Sequence, residues 1–442
     1  MINSINEYKA HFLIILLYLS LIFGFSIGED ALGAAKSDYV AIFERIKLLS
    51  ERTWYYFINY DQLNLRHSPI FQLYRTFFHI TFNDDLYFKI INLHINICVI
   101  FIFYKSLKIV FNKVSRNNLI ILSSIVFLLP SFRAYSIWPD SFMCGFVFFA
   151  LSIYFYISFK STVCVIKKKK FIFYNTVALV IASYISPNYG IFIIFYLYSF
   201  FKEFNFNNFF FSILLLNLLL SIPFLYYVFY LENYFFDFDG TIWVKNQTTL
   251  SINNLANQII IVPTIFVVFF IPFLILKFKY FLNKLKNLLR EFSIFYIFLL
   301  LSPIILSPFF RYDEIKLTLG GGGLFFNFFY HFGYNFFLLS IISSISILLI
   351  SLFFYQSDSE YLDNKELNLF IFTLILTSPQ LTIYIMYYEM ILFIGIFLFF
   401  QKNIMSEIIS NSRNIYFIMI YYALLLLLNI MKTQFLPILE SI

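Results

Sequence analysis

Two carboxylates, Glu29 and Asp30, stand where the first long apolar run ends, and a third, Asp38, opens the polar stretch that follows. Cations come next: Arg66 and His67 before Ser68-Pro69, Lys89 at the head of a second apolar run, and Arg133 ahead of Pro139-Asp140. A carboxylate at such a boundary can accept a proton, cap a helix or simply face water. An arginine, lysine or histidine there can hold a phosphate or anchor to lipid headgroups. Arg133 and Asp140 flank a tight turn and could equally pair with each other. A later group, Arg311, Asp313, Glu314 and Lys316, precedes Gly320 to Gly323 and reads as a gate over a lipid or acceptor, or as a plain linker. It lacks the Gly-Lys-Ser/Thr ending of a phosphate loop. Asp237, Asp239 and Gly240 read as solvated turn residues, and Asn246-Gln247-Thr248 fits the N-glycosylation pattern by composition alone. His331 has no second ligand at a diagnostic spacing, so no metal site is expected.

Everything that positions these groups is apolar. Of 442 residues, 61% are hydrophobic and 12% charged, about half the charged share that a soluble domain uses to cover its surface. The mean hydropathy is +0.81. Such a chain must face lipid, and the fold class is an all-α polytopic transmembrane bundle forming one domain over residues 1–442. The abundance of Phe and Tyr reads as compositional drift rather than as binding sites. Cys98, Cys144 and Cys164 lie in or beside apolar segments and suggest packing, not a disulfide framework.

Windows long enough to cross a bilayer recur near 12–28, 86–104, 118–136, 140–159, 171–186, 188–201, 208–231, 255–276, 291–308, 331–355, 368–386, 387–400 and 415–431. Several abut, which gives about 11–13 spans at roughly 20 residues each. The first run is read as a retained span, since only Lys9, balanced by Glu7, precedes it as a signal-peptide charge. The basic stretches 105–116, 160–170 and 277–290 then share one side, which the positive-inside rule makes cytoplasmic. Segments 29–85, 133–139, 232–254 and 309–330 fall outside. The net charge of +7 is spent on topology and gives no reason to expect nucleic acid.

The first outer loop, 29–85, carries two amphipathic helices. Tyr39, Ile42, Phe43, Ile46 and Leu49 recur at helical spacing, with Asp38 at the N-cap or first turn. Ser68 as cap and Pro69 at the first position announce a second helix through Ile70, Phe71, Tyr74, Phe77 and Phe78. Such helices settle on the membrane surface. Within the second span, His94, Asn92 and Asn96 are costly in lipid and are read as helix–helix hydrogen-bonding groups.

In this order the motifs resemble the GT-C glycosyltransferases, especially the protein mannosyltransferase and aminoarabinose transferase type. Asp38 looks like the family's helix-opening acid, with Trp54 matching the aromatic at which that helix ends. Arg66-His67-Ser68-Pro69 resembles a Lys/His-Pro-Pro element, Lys89 the basic residue that opens the second span, and Arg133 with Pro139-Asp140 a later Arg…Pro-Asp motif. The likeness covers residues 12–160. Two departures stand out: Tyr39 follows Asp38 where the family often has a second acid, and Ser68 replaces one proline. The acidic pair Glu29-Asp30 lies earlier in the loop.

The resemblance implies transfer of a sugar from a polyprenyl-phosphate donor to a glycan, lipid or protein acceptor at the outer face of a bacterial inner membrane. It implies Asp38, with Asp30 second, as general base, and Glu29, Arg66, His67, Lys89, Arg133, Asp140 and Arg311 as substrate-binding residues. No cofactor is required beyond a divalent cation, which stays open. The alternatives are a polysaccharide polymerase or ligase, and a transporter or flippase of lipid-linked sugars. A transporter would show paired halves with broken helices and midplane charges. Here the acids gather at the boundary of the first span. Alkaline phosphatase fused after Asn59 is expected to be active and the same fusion after Lys169 inactive. The reverse pattern puts residues 29–85 in the cytoplasm.

Overall fold

The computed structural model describes residues 2–63, 68–82, 84–229, 252–290, 294–312, 323–331, 336–354, 363–377 and 383–435. Every regular element among them is a helix. The chain divides into two compact units: residues 1–241 with 422–442, and residues 242–421.

The first unit opens with α1 (Ile2–Ile27), a long apolar helix. The polar loop then forms α2 (Ala35–Glu51), α3 (Thr53–Ile58) and α4 (Pro69–Phe82). Next come α5 (Asp85–Val110), α6 (Arg116–Ser124) and its 3-10 continuation to Leu128, α7 (Pro130–Ile137) and α8 (Ser141–Ser161). The unit continues with α9 (Val165–Ile185), α10 (Ile193–Phe204) and α11 (Asn208–Phe229). The starts of α5, α6 and α8 are fixed by short polar caps. Asp84 accepts from the Leu86 N–H at 2.8 Å, Ser115 from Asn118 at 3.3 Å and Asp140 from Phe142 at 2.7 Å. Each satisfies a donor that the first helical turn cannot pair internally.

The centre of this unit is α8, 78% of whose apolar window is buried, against 22% for α1 and 11% for α11. A helix hydrophobic all round belongs inside. It lies closest to α9 at Gly145, where an added Cβ would sit 3.0 Å from Tyr189 and 3.1 Å from the Ala182 carbonyl. Hydrogen bonds rather than apolar contact alone fix the register: Asn175 donates to the Ser152 carbonyl at 2.8 Å and the Tyr189 hydroxyl to the Phe142 carbonyl at 2.9 Å.

In the second unit α12 (Ile252–Leu276) is central and packs on α16 (Phe336–Phe354). Between them in sequence come α13 (Phe278–Arg290), α14 (Ile294–Leu306) and α15 (Gly323–His331). Then follow α17 (Asn364–Ile375), α18 (Met386–Phe399), α19 (Lys402–Ser410) and α20 (Ser412–Ile430), the last passing into the first unit's residues. Ser343 donates to the Ile259 carbonyl at 3.0 Å across the α12–α16 contact.

Among the described residues seven helices are long and apolar enough to cross a membrane, or nine if each of two bent pairs counts as one span. This is the pattern of a multi-pass membrane protein. Among the described residues, several of the 11–13 apolar runs are bent or hold shorter helices. The 118–136 run bends by 64° where Pro130 starts a new helix, and the 387–410 region bends by 96° at Gln401, whose φ is +25°. Lys167 to Lys170 are not a loop but the first turns of α9, which leaves that helix with a short apolar remainder. The 188–201 and 368–386 runs hold the shorter helices α10 and α17. The basic stretch 277–290 is likewise helix α13, with Lys277 ion-paired to Glu407.

Replacing Gly145 by Val is expected to push α8 off α9, because backbone and a buried ring oppose the new atoms. The cost of overpacking is about 1–3 kcal/mol. It should appear as a lowered unfolding midpoint of the detergent-solubilised protein, and an unchanged midpoint would reject this contact as tight.

Candidate functional site

Helix α1 ends in a way that delivers two carboxylates to one place. Gly28, at φ +68°, donates to the Phe25 carbonyl at 3.2 Å, and Glu29 donates back to Gly24 at 2.8 Å. This is the Schellman ending, which needs a residue without a Cβ at the left-handed position. Its result is that the Glu29 side chain folds back alongside the helix it has just left. Arg133 on α7 meets it there with a two-pronged grip, its Nε and Nη2 each 2.6 Å from one carboxylate oxygen. Arg133 also donates to the Ser20 hydroxyl at 3.1 Å and to the Ser20 carbonyl at 3.0 Å. Both members of the pair are buried. Gly24 makes the room: a Cβ there would lie 2.4 Å from the Glu29 carboxylate and 2.7 Å from the Arg133 guanidinium.

Asp30, next in the chain, is buried and spends its oxygens on backbone donors. Oδ1 accepts from Leu32 and Gly33, and Oδ2 from Lys36 at 2.9 Å. It therefore organises the turn into α2 and satisfies a donor of that helix's first turn. Thr433 reaches the Asp30 carbonyl at 2.9 Å. The Trp138 indole N–H donates to the Glu29 carbonyl at 3.0 Å, so the ring is fastened to the peptide between the two acids.

From Trp138 a ladder of cations and rings extends across α5, α2 and α4. Lys89 lies 4.1 Å from the Trp138 ring centre and 4.7 Å from that of Tyr39, and Lys36 lies 5.6 Å over Trp138. The Arg75 guanidinium also lies over the Tyr39 ring, at 3.8 Å from its centre. Cations held over aromatic faces gain most where water is excluded. Asp85 closes the ladder, accepting from Arg75 and from the Tyr39 hydroxyl, both at 2.9 Å. Burial pushes the Tyr39 phenol well above its ordinary range, with the Asp85 carboxylate adding and Arg75 opposing. Tyr39 is thus a neutral donor at any physiological pH.

Two arginines are matched by two carboxylates, and Asp30 is matched by backbone N–H groups. Among the described residues no carboxylate lies within ion-pair distance of Lys89 or Lys36. Among the described residues no acceptor is hydrogen-bonded to the half-buried Lys89 ammonium, whose leading counter-charge is the Asp85 carboxylate. The described site holds Lys89 on an aromatic wall without a direct ion pair.

Several sequence expectations change. Asp38 lies in the first turn of α2, as expected for a capping position, but the helix begins earlier, at Ala35, and Asp38 is exposed on its surface. Asp140 does not pair with Arg133; it caps α8. Ser68 precedes α4, yet its hydroxyl donates to the Tyr184 carbonyl instead of capping. Trp54 sits exposed on α3 and not at the end of α2. Helix α4 also does not lie with a polar side to water. Gln72, Arg75 and Thr76 are buried while Phe77 and Ile80 are exposed.

Arg311 belongs to the second unit, is exposed, and has its backbone clasped by the Asn257 amide at 2.9 and 3.0 Å. His331 closes α15 instead of starting a span, and no cluster of three metal-ligating side chains occurs among the described residues. Arg66, His67, Asp313, Glu314, Lys316, the Gly320–Gly322 run and residues 237–248 lie outside the described residues.

Arg75, Asp85 and Lys36 were missed by sequence reasoning. Their signal was present: Gln72, Arg75, Thr76 and His79 recur at helical spacing in an otherwise apolar segment, which marks a polar stripe facing protein.

No family model, no curated protein and no solved structure matches this chain. The reading of the site therefore rests on its own geometry.

Glu29→Gln or Arg133→Met is expected to destabilise the protein by about 3–5 kcal/mol, since either leaves one buried charge without its partner. The double variant, which removes both charges, should unfold at a higher temperature than either single one. A double variant less stable than both would show that this pair is not the tie between α1 and α7.

Proposed function

We propose that the chain is a membrane-embedded transferase that takes a group, most simply a sugar, from a lipid-phosphate-linked donor. The observation that supports this reading is Lys89. A half-buried ammonium over two aromatic faces, beside a second lysine and with no carboxylate at ion-pair distance among the described residues, can take an anion from outside the chain. A phosphate with a polyprenyl tail suits a site of this kind, because its charge meets the lysines while its tail stays in lipid.

The position along the helices agrees with that donor. α1 ends at the site, while α5 and α8 both begin there, so the lysines at 105–113 fall at the far end of α5, and those at 160–170 at the far end of α8 and the start of α9. By the positive-inside rule those ends are cytoplasmic and the site faces outside.

In the proposed reaction an acceptor hydroxyl attacks the anomeric carbon, the bond from that carbon to the phosphate oxygen breaks, and the hydroxyl proton passes to a carboxylate. Lys89 and Lys36 stabilise the departing phosphate. Asp30 is favoured over Asp38 as the base. Its peptide is hydrogen-bonded to Trp138, and Lys36, whose backbone it holds, reaches the same ring, whereas Asp38 is exposed on the α2 surface. A carboxylate has about four acceptor sites, so three backbone bonds leave Asp30 one for a proton.

Native mass spectrometry of the purified protein with undecaprenyl phosphate tests the first step. Lys89→Ala should bind about tenfold more weakly, the scale of a charge-assisted contact. Release of undecaprenyl phosphate from a panel of undecaprenyl-phosphate hexoses tests the second. Asp30→Asn should lower it by about 10²–10⁴ and Asp38→Asn should leave it nearly unchanged. Equal phosphate binding by Lys89→Ala would overturn the reading, and the opposite ranking of the two aspartates would move the base to Asp38.

A further inference from the structure

Helix α13 follows α12 after a single residue, Lys277, and sorts its side chains into an apolar face and two unlike flanks. Phe278, Phe281, Leu282 and Leu285 recur at helical spacing and share the apolar face. They line a cavity of about 300 Å³ between α12, α13 and α16, to which Ile275 and Leu352 also contribute. Every lining side chain is Ile, Leu or Phe. The volume is that of a small ligand cavity, in a range of roughly 300–1,000 Å³. The crevice opens outward, since Ile275, Phe278 and Leu282 are exposed. Such walls offer water no polar partner, so the space suits hydrocarbon.

One flank of α13 is fastened to protein. The buried Phe281 ring lies 4.6 Å from that of Phe353, the Tyr280 hydroxyl donates to Gln401 at 3.5 Å, and Lys277 is ion-paired to Glu407. Lys284, on the same flank, is buried with its ammonium 5.8 Å over the Tyr280 ring. The other flank carries Lys279 and Lys286. Leu282, at the mouth of the crevice, is three residues from one and four from the other, so both lysines neighbour it on the helix surface. Both are exposed, and among the described residues neither takes part in an ion pair. Seven residues separate them, which stands one above the other about 10 Å apart along the axis. An apolar crevice with two ammonium groups on its rim matches an amphiphile that has a hydrocarbon tail and a negative head. Basic amphipathic helices settle where the bilayer meets water, and the positive-inside rule assigns this end of α12 to the cytoplasmic leaflet.

We propose that the crevice between α12, α13 and α16 binds an acyl chain of an anionic phospholipid of the cytoplasmic leaflet, with its headgroup phosphate on Lys279 and Lys286. The division of labour is physical: the crevice takes the tail that all phospholipids share, and the two lysines select the negative head. This site lies within the second unit and does not depend on the phosphate reading of Lys89.

The test places the full chain in phosphatidylcholine nanodiscs doped with one of two probes, phosphatidylglycerol or phosphatidylcholine, each with a photoreactive diazirine on its acyl chain. Label is then mapped to peptides. In the wild type the phosphatidylglycerol probe is expected to label the peptides around Ile275, Leu282 and Leu352 about tenfold to thirtyfold more than the phosphatidylcholine probe, the scale of two lysines beside an anionic head. Changing Lys279→Gln and Lys286→Gln together should bring the two probes to the same level. Leu282→Trp, which puts a larger ring into the crevice from an exposed position, should lower labelling by both. Equal labelling of the wild type by the two probes would overturn the proposal. So would a preference that survives the double lysine variant, or crevice peptides that take no label from either probe.

Discussion

The buried pairing of Glu29 with Arg133 is the constraint on which the arrangement of the first unit depends. Taking two charges out of water is expensive, and the cost is met only when geometry is good and the remaining donors are satisfied. Here the guanidinium has two prongs on the carboxylate and two further bonds to Ser20. Three features of the sequence serve that geometry. Gly28 turns the chain back, Gly24 leaves space for the two side chains, and Pro130 starts the short helix that presents Arg133. Once the pair is made, the end of α1 is fixed against α7, and Trp138 is drawn to the Glu29 carbonyl. The ladder of Lys89, Tyr39 and Arg75 builds outward from that ring.

The same pairing decides which charges are left without an ion-pair partner among the described residues. Arg133 looks like a phosphate ligand in the sequence, because arginine is the usual partner of a planar anion. In the fold it is consumed by Glu29, and Arg75 is consumed by Asp85. What remains is ammonium, on Lys89 and Lys36, held by aromatic faces that compete with no incoming anion for hydrogen bonds. A lysine is the better residue for this task. In the proposed reaction its point charge would keep three donors free to rotate towards a phosphate.

How much of this was legible in the residues follows from what each kind of signal reports. The all-helical, lipid-facing architecture was legible, because hydropathy sums over many positions and tolerates local error. Helices α2, α4 and α5 were placed within a few residues by Tyr39–Leu49 periodicity, by Pro69 and by the onset of the apolar run at Leu86. Bends were not, because hydropathy does not register them: the run through Pro130 is continuous in composition yet turns by 64° in space. Of the site, Glu29, Asp30, Lys89 and Arg133 were singled out, but not which acid meets which cation. Asp140 sits seven residues from Arg133 and caps a helix, while Glu29, more than a hundred residues away, makes the pair. Sequence distance carries no information about that choice; the turn of α1 at Gly28 does.

Helix α4 shows why a polar stripe misleads when the solvent is lipid. In water Gln72, Arg75, Thr76 and His79 would mark the outer face and the phenylalanines the inner one. Beside a bilayer the preference inverts, because lipid accepts Phe77 and Ile80 at no cost while an unpaired guanidinium there is expensive. Arg75 therefore turns inward, onto Tyr39 and Asp85, and the helix seals the ladder from the side. This inversion extends to α5, where Asp85, Lys89, Asn92 and Asn96 share one face and point at protein, while Phe101 and Leu86 face out. In both helices the polar stripe therefore marks the interior, gathered there by the solvent on the other side.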